Sequence, residues 1–154
     1  METSNFNIVL VCPQIPNNTG NVGRLCVGSQ SKLHLVHPLG FEITDIRVKR
    51  AGLDYWPDLD LMHHASFEKL LACIPDLSRV FFFSAQATQS YYDLDYRSGD
   101  WLVFGREADG LPVEILKAYA SQCVKIPFPG KVRSFNLGNA VAMALGEGLR
   151  QLEL

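Results

Sequence analysis

Short apolar segments alternate with segments of helical spacing along the chain, and this alternation constrains the fold more than any other feature. The apolar segments predict strands at residues 7–11, 32–36, 59–63, 79–84, 101–104 and 123–126. Helices are predicted up to about residue 29 and at residues 44–53, 66–73, 113–120 and 136–152. Such alternation predicts an α/β fold with a mostly parallel sheet flanked by helices.

The last part of the chain, residues 124–152, changes character twice. Pro127 ends a short apolar strand, and a polar loop follows. Apolar residues then recur every three or four positions after Asn136, and Ser134 and Asn136 stand where a helix N-cap is needed. Polar side chains and unpaired helix N–H groups thus meet after a strand, which favours a ligand site. The alternative is a capped C-terminal helix that only packs on the sheet.

Two other loops have unusual composition. Residues 17–24 are dense in Asn and Gly, which predicts a loop whose backbone a ligand can approach. Gly105 and Gly110 follow an apolar strand and predict a backbone wrapped closely around something. The alternative is a strand-to-helix turn in which Glu107 caps backbone N–H groups.

Composition and missing motifs exclude several classes of protein. The net charge of −2 argues weakly against a nucleic-acid binder, because the cations at residues 47–50 and 131–133 could still form a local patch. No apolar run approaches the ~20 residues that cross a bilayer, and residues 1–7 lack a signal-peptide pattern, so a cytoplasmic protein is expected. The histidine spacing predicts no metal site, and no dinucleotide, P-loop or nucleophile-elbow motif is present.

Ordered motifs along the chain resemble those of the SPOUT (α/β-knot) methyltransferases. They lie at residues 13–26, 102–112 and 126–142, and residues 50–56 resemble a signature of the TrmL-like branch, the tRNA wobble-nucleotide ribose 2′-O-methyltransferases. The resemblance runs from about residue 7 to residue 151. It implies a single methyltransferase domain over residues 1–154, with no separate RNA-binding domain.

The resemblance also implies a cofactor and a set of site residues. In the family the C-terminal segment threads through a loop to form a deep trefoil knot, and S-adenosylmethionine binds bent in that knot. By matching position, the expected cofactor-binding residues are Phe83, Gly105, Ile126 and Ser134, with Phe128, Phe135 and Leu137 nearby. Arg24 falls on the catalytic arginine of the family, and Asn18 and Arg133 are the expected RNA contacts. Family members are homodimers whose active sites draw on both chains.

The implied reaction is methylation of a tRNA ribose 2′-hydroxyl, at the wobble cytidine or uridine of the anticodon. A guanidinium is almost never deprotonated in proteins, so Arg24 is expected to anchor a phosphate and stabilise the developing alkoxide. Gly146 stands where the branch commonly has tyrosine, and Arg106 where it often has proline. These departures leave open another tRNA position, ribosomal RNA, or a non-catalytic RNA-binding module, although the intact Arg24 argues against the last.

Overall fold

The computed structural model describes residues 4–44, 46–51, 54–132 and 134–154. They form seven strands: β1 (Phe6–Val11), β2 (Lys32–Val36), β3 (Leu61–His64), β4 (Val80–Phe83), β5 (Gln89–Ser90), β6 (Asp100–Phe104) and β7 (Cys123–Lys125). The α-helices are α1 (Pro16–Gly28), α2 (Ile46–Ala51), α3 (Phe67–Ala72), α4 (Val113–Ala118) and α5 (Leu137–Gln151). The predicted sequence of strands and helices is therefore confirmed in outline, although Asp45, Gly52 and Leu53 of the predicted second helix lie outside the described residues.

The seven strands form one sheet in the order β3-β2-β1-β6-β4-β7-β5. Every strand pair in it is parallel, for example β1 with β6 and β4 with β7. The predicted parallel sheet is therefore confirmed. Because the strands run in one direction, the loops that follow β1, β4, β6 and β7 all emerge at one edge, called here the carboxyl edge.

Alternate side chains of the strands pack into two cores, one on each face of the sheet. Val22 of α1 and Val141 of α5 join the first core, together with Ile8 of β1. Leu70 of α3 and Ile115 of α4 join the second core on the opposite face. The sheet is thus covered by helices on both faces, which is why its central strands are mostly apolar.

The loop predicted at residues 17–24 is wrong, because these residues belong to α1. The helix starts at Pro16, where the missing N–H costs nothing and the fixed φ suits a helix. Val22 and Cys26 are fully buried on its inner face. Tertiary packing therefore overrides the weak helix propensity of the Asn and Gly residues in this segment.

The polar segment at residues 86–99, predicted to be a surface loop, contains the edge strand β5 and a 3-10 turn at Tyr91–Asp93. Two residues are too few to show the alternation that identifies a strand. Gln151 of α5 fastens this segment, since its side chain donates to the Leu94 carbonyl at 2.9 Å and accepts from the Tyr96 N–H at 3.0 Å. The segment therefore lies against the C-terminal helix.

Two glycines of α5 have different surroundings, and they provide a matched pair for a stability test. A Cβ on Gly148 would lie 2.6 Å from Cζ of the buried Phe6 ring, whereas a Cβ on Gly146 would meet no atom within 4 Å. We expect Gly148→Ala to lower the free energy of unfolding by about 1–3 kcal/mol through overpacking. Gly146→Ala should raise it by about 0.5–1 kcal/mol through helix propensity. Urea denaturation measures both; equal midpoints for Gly148→Ala and wild type would contradict the packing described.

Two pairs of histidines in hydrogen-bonding contact connect β2, and the residue that follows it, to β3. The buried His34 has Nδ1 2.9 Å from Nε2 of His64 and Nε2 3.0 Å from Oδ1 of Asn7. His37 and His63 form the second pair, with 2.8 Å between Nε2 and Nδ1. Burial, together with the smaller effects of the nearby His64 and Lys32, lowers the pKa of His34 to about 3.

This shift makes the stability of the protein depend on pH. The unfolded chain takes up a proton on His34 below about pH 6.5, whereas the folded chain does so only near pH 3. Unfolding therefore takes up a proton in this window, so acid favours the unfolded state. We expect the free energy of unfolding to fall by about 2 kcal/mol between pH 7 and pH 5 from His34 alone. Urea titrations at both pH values test this, and His34→Gln should flatten the dependence; equal stability of the wild type at pH 7 and pH 5 would contradict it.

No helix within the described residues is long and apolar enough to cross a membrane.

Candidate active site

Three loops meet at the carboxyl edge of the sheet, above its central strands. Residues 12–15 follow β1, residues 105–112 follow β6, and residues 126–136 follow β7. The first and second loops lead into α1 and α4, and the third leads into α5. Side-chain hydrogen bonds tie these loops and the start of α1 together.

Glu107 links the second loop to the start of α1. Its carboxylate accepts from the backbone N–H of Gln14 at 2.9 Å and of Ile15 at 2.6 Å. In return, the Gln14 side chain accepts from the Ala108 N–H at 3.2 Å. The N-cap residue of α1 is Ile15, whose side chain forms no capping hydrogen bond. The Glu107 carboxylate, from another loop, instead supplies the negative charge that stabilises the start of a helix. The alternative interpretation, in which Glu107 binds backbone N–H groups, is therefore the one observed, and these groups lead into α1.

Asn18 and Asn136 link the first turn of α1 to the third loop. The Asn18 amide donates to Glu107 at 3.4 Å and accepts from the Asn136 amide at 3.1 Å. Asn136 also caps α5, since its Oδ1 accepts from the Asn139 N–H at 3.3 Å. Asn18 is only 7% exposed, so both ends of its amide serve contacts within the protein. The contact of Asn18 with RNA that the resemblance implies stays a prediction.

The second loop folds back on itself immediately after β6. A Cβ on Gly105 would lie 2.1 Å from the carbonyl carbon of Gly110 and 2.2 Å from the Leu111 nitrogen. Arg106 and Gly110 form an antiparallel bridge, and Gly110 has φ +73°. The backbone is therefore closely wrapped here, as the two glycines predict, and Gly105 packs against the backbone of Gly110 and Leu111 in the same loop.

Arg24 lies on the exposed face of α1, on the same face as Asn17 and Asn21. Its Cζ stands 4.9 Å from the centroid of the Tyr55 ring, a cation–π distance. Arg24 is eight residues after Pro16, which places it about 12 Å along the helix from the joined loops. Arg24 thus lies at the protein surface, with its guanidinium over the Tyr55 ring.

The expected cofactor residues differ in their accessibility. Phe83 and Leu137 belong to the first core, and the Phe83 ring stacks on Phe104 with 4.6 Å between centroids. Ser134 is exposed, as is Phe128, whose ring packs at 4.2 Å against that of Phe135. Gly105 and Ile126 are half-buried at the ends of β6 and β7. The structure therefore gathers these residues around the second and third loops.

Some residues of the candidate site were not predicted from the sequence, and one predicted residue lies outside the described part of the chain. Arg133 lies outside the described residues. Sequence reasoning missed Gln14 and Tyr55, and it gave Asn136 a capping role without its bond to Asn18. The two asparagines are 118 positions apart, so no local pattern joins them. Among the described residues, no group of three or more His, Cys, Asp or Glu side chains is placed to hold a metal ion.

A cavity of about 370 Å³ lies at the opposite, amino edge of the sheet. Its lining includes Arg79, Arg97 and Asp100. Arg79 and Asp100 satisfy each other through bonds of 2.8 and 2.6 Å. The charges of Arg79 and Asp100 thus neutralise each other, and the cavity lies at the edge of the sheet opposite the three joined loops.

The chain matches a family model described as the SpoU rRNA Methylase family over residues 5–146. The match covers the sheet, α1 and all three loops of the carboxyl edge. The chain belongs to the SpoU methylase family. The resemblance stated from the motifs is therefore confirmed.

Individual members of the SpoU family resemble the chain closely. The tRNA (cytidine(34)-2'-O)-methyltransferase of Burkholderia cenocepacia (strain HI2424) is 44% identical over 148 residues, which cover 95% of both chains. A solved structure concerned with the 2-OH methylation of C/U34 on tRNA is 47% identical, with a TM-score of 0.92 and 96% of each chain covered. The SpoU methyltransferase AviRb from Streptomyces viridochromogenes, solved in complex with the cofactor AdoMet, has a TM-score of 0.85 at 19% identity over 99% of this chain and 60% of its own. This last likeness is one of fold alone.

Proposed function

We propose that this protein transfers the methyl group of S-adenosylmethionine to the ribose 2′-hydroxyl of the wobble nucleotide, cytidine or uridine 34, of a tRNA. The observation that carries the proposal is the 44% identity to a tRNA (cytidine(34)-2'-O)-methyltransferase over 95% of both chains. The 47% identity to the structure concerned with C/U34 methylation supports the same nucleotide. The three joined loops supply a site of the kind this chemistry requires.

The cofactor is proposed to bind between the second and third loops. Ile126 and Gly105 offer half-buried backbone, Phe83 and Leu137 form an apolar floor, and Ser134 offers a hydroxyl. Phe128 and Phe135 stand beside this space as a ring pair. The adenine needs apolar walls with a few hydrogen bonds, which this set provides. The methyl group of the sulfonium is already activated, so the main task of the protein is to align the ribose hydroxyl with it.

A deep trefoil knot is proposed for the C-terminal segment. Support comes from the order of the strands: β7 lies between β4 and β5, which precede it in the chain. The segment around Leu94 and Tyr96 is bonded to Gln151 of α5. A late strand inserted between two earlier ones, with the following helix held by the segment that leads from β5 to β6, fits a threaded chain end.

Arg24 is proposed to bind the phosphate next to the target ribose and to stabilise the alkoxide that forms as the hydroxyl loses its proton. A guanidinium has only donor groups, so Arg24 supplies hydrogen bonds and positive charge to the RNA. The ring of Tyr55 holds one face of the guanidinium and leaves its edge for the RNA.

A homodimer is proposed because Arg24 lies about 12 Å along α1 from the loops of its own subunit. A site shared with a second subunit brings an exposed Arg24 to the cofactor loops of its partner. Of the two α5 glycines compared above, Gly148 packs against Phe6 of the same chain and is not available to a partner. Gly146 remains on the exposed face of α5, beside the exposed Ala142 and Met143. Light scattering at micromolar concentration should give twice the monomer mass of 17.2 kDa, and a monomer would contradict the shared site.

Ribosomal RNA is the second candidate substrate, because the matching family model is described as an rRNA methylase family. Ribose methylation should be mapped in total RNA from a strain that lacks this protein. Loss of the mark at position 34 of tRNA supports the proposal, and loss at a ribosomal position supports the alternative. Transfer of tritiated methyl from S-adenosylmethionine to unmodified tRNA by the purified protein tests the reaction directly.

A further inference from the structure

Arg106, on the loop between β6 and α4, forms a two-point ion pair with Asp109. Its Nε donates to Oδ1 of Asp109, and its Nη2 donates to Oδ2 at 2.7 Å. The backbone bridge between Arg106 and Gly110 closes the same short turn. Both the backbone and the side chain of Arg106 are therefore held in one orientation.

The ion pair leaves much of the guanidinium available. A guanidinium has five N–H donors in a planar fork, and Asp109 engages the side formed by Nε and Nη2. The two hydrogens of Nη1 and the outer hydrogen of Nη2 point away from that carboxylate. The side chain is 45% exposed. Because the fork is already oriented, little conformational entropy remains to be lost when it binds an anion.

The position of Arg106 matters as much as its geometry. It follows β6, a central strand, and it lies near Cys12 at the end of β1, where its charge opposes the rise in the pKa of the Cys12 thiol caused by burial. The carboxylate of its neighbour Glu107 is engaged by backbone N–H groups. The acidic side chains of Asp58, Asp60, Asp76 and Asp95 all lie in segments that precede strands, at the opposite edge of the sheet.

A chain with net charge −2 has to bind RNA through local cations, because its overall field does not attract a polyanion. At the carboxyl edge the loops carry Arg106 and the exposed Lys131. An oriented guanidinium fork matches a phosphodiester better than a flexible ammonium group does.

We propose that Arg106 binds a backbone phosphate of the substrate RNA, with Asp109 orienting its guanidinium. The inference rests on the proposed function and adds a contact to the same site. Asp109 has a double effect: it fixes the fork, and its negative charge weakens the attraction of the fork for phosphate.

The test is tRNA binding by wild type, Arg106→Ala and Asp109→Asn, measured by filter binding at several salt concentrations. Arg106→Ala should weaken binding about tenfold and lower the slope of log Kd against log salt by about one. Asp109→Asn removes the repelling charge while keeping an oxygen acceptor for Arg106, so it should bind tRNA more tightly than wild type. If the pair serves only to hold the turn, both variants will melt at lower temperature and neither will change tRNA affinity, which overturns the proposal.

Arg97→Ala is the matched control, because Arg97 is 67% exposed at the amino edge and stands 4.0 Å from Asp95. It should leave tRNA affinity unchanged. Calorimetry with S-adenosylmethionine should give wild-type affinity for Arg106→Ala; weaker cofactor binding with unchanged tRNA binding would mean that the anion is the cofactor carboxylate, and the proposal would fall. Should Arg106→Ala not fold, an unchanged or weaker affinity of Asp109→Asn would overturn the proposal.

Failure of the proposed function is recognisable separately. A wild-type protein that neither binds nor methylates tRNA overturns both ideas. A wild type that methylates tRNA, together with an Arg106→Ala variant of unchanged affinity and salt dependence, overturns the role of Arg106 alone.

Discussion

Replacing Arg24 with alanine should lower the rate of methyl transfer to tRNA by about 10²–10³-fold and leave the affinity for S-adenosylmethionine near that of wild type. The loss corresponds to a charge-assisted contact that strengthens as the ribose oxygen gains negative charge, about 3–4 kcal/mol. Arg24 lies on the outer face of α1, apart from the loops proposed to hold the cofactor. Because it is exposed, its removal should not unfold the protein.

Tritiated methyl transfer and cofactor calorimetry, run on the same preparations, measure the two quantities. Arg24→Lys keeps the charge but loses the planar fork, so its rate should fall between those of wild type and Arg24→Ala. Tyr55→Leu removes the ring beneath the guanidinium and should reduce the rate less than Arg24→Ala does. Near wild-type transfer by Arg24→Ala would show that another group stabilises the alkoxide.

Gly105→Ala should destroy the second loop and, with it, the candidate site. A Cβ at this position would lie 2.1 Å from the Gly110 carbonyl carbon, a distance that non-bonded atoms do not reach. The backbone at Gly110 and Leu111 would have to move. Glu107 would then lose its hydrogen bonds to the backbone at the start of α1. We expect the free energy of unfolding to fall by more than about 3 kcal/mol, and S-adenosylmethionine binding to be lost.

Gly28→Ala is the control for this substitution, because Gly28 is exposed and a Cβ there would meet no atom within 4 Å. It should be neutral or slightly stabilising. Urea denaturation and calorimetry compare the two variants. If Gly105→Ala kept wild-type stability but lost the cofactor, the glycine would be making room for the ligand. The backbone contact described here would then be contradicted.

Features that depend on local patterns were predictable. Residues 8–11 and 80–83 are consecutive apolar residues because parallel strands covered on both faces bury the side chains of both faces, and such runs are visible in the sequence. The start of α5 was predictable too, since Asn136 caps a helix whose apolar face begins at Leu137. The family could likewise be identified from the ordered motifs, because the residues of each motif and the order of the motifs are visible along the sequence.

What tertiary structure decided lies in contacts between distant residues. Residues 17–24 contain turn formers, and a local reading makes them a loop; α1 forms there because Glu107, 92 positions from Ile15, binds the backbone that leads into it. Asn18 and Asn136 join across 118 positions, and Gly148 is required by Phe6 at the other end of the chain. Helix propensity and hydrophobic periodicity are properties of neighbouring residues, so most helices and strands could be predicted from the sequence. The start of α1 and the joining of the loops depend on partners that only the folded chain brings within hydrogen-bonding distance.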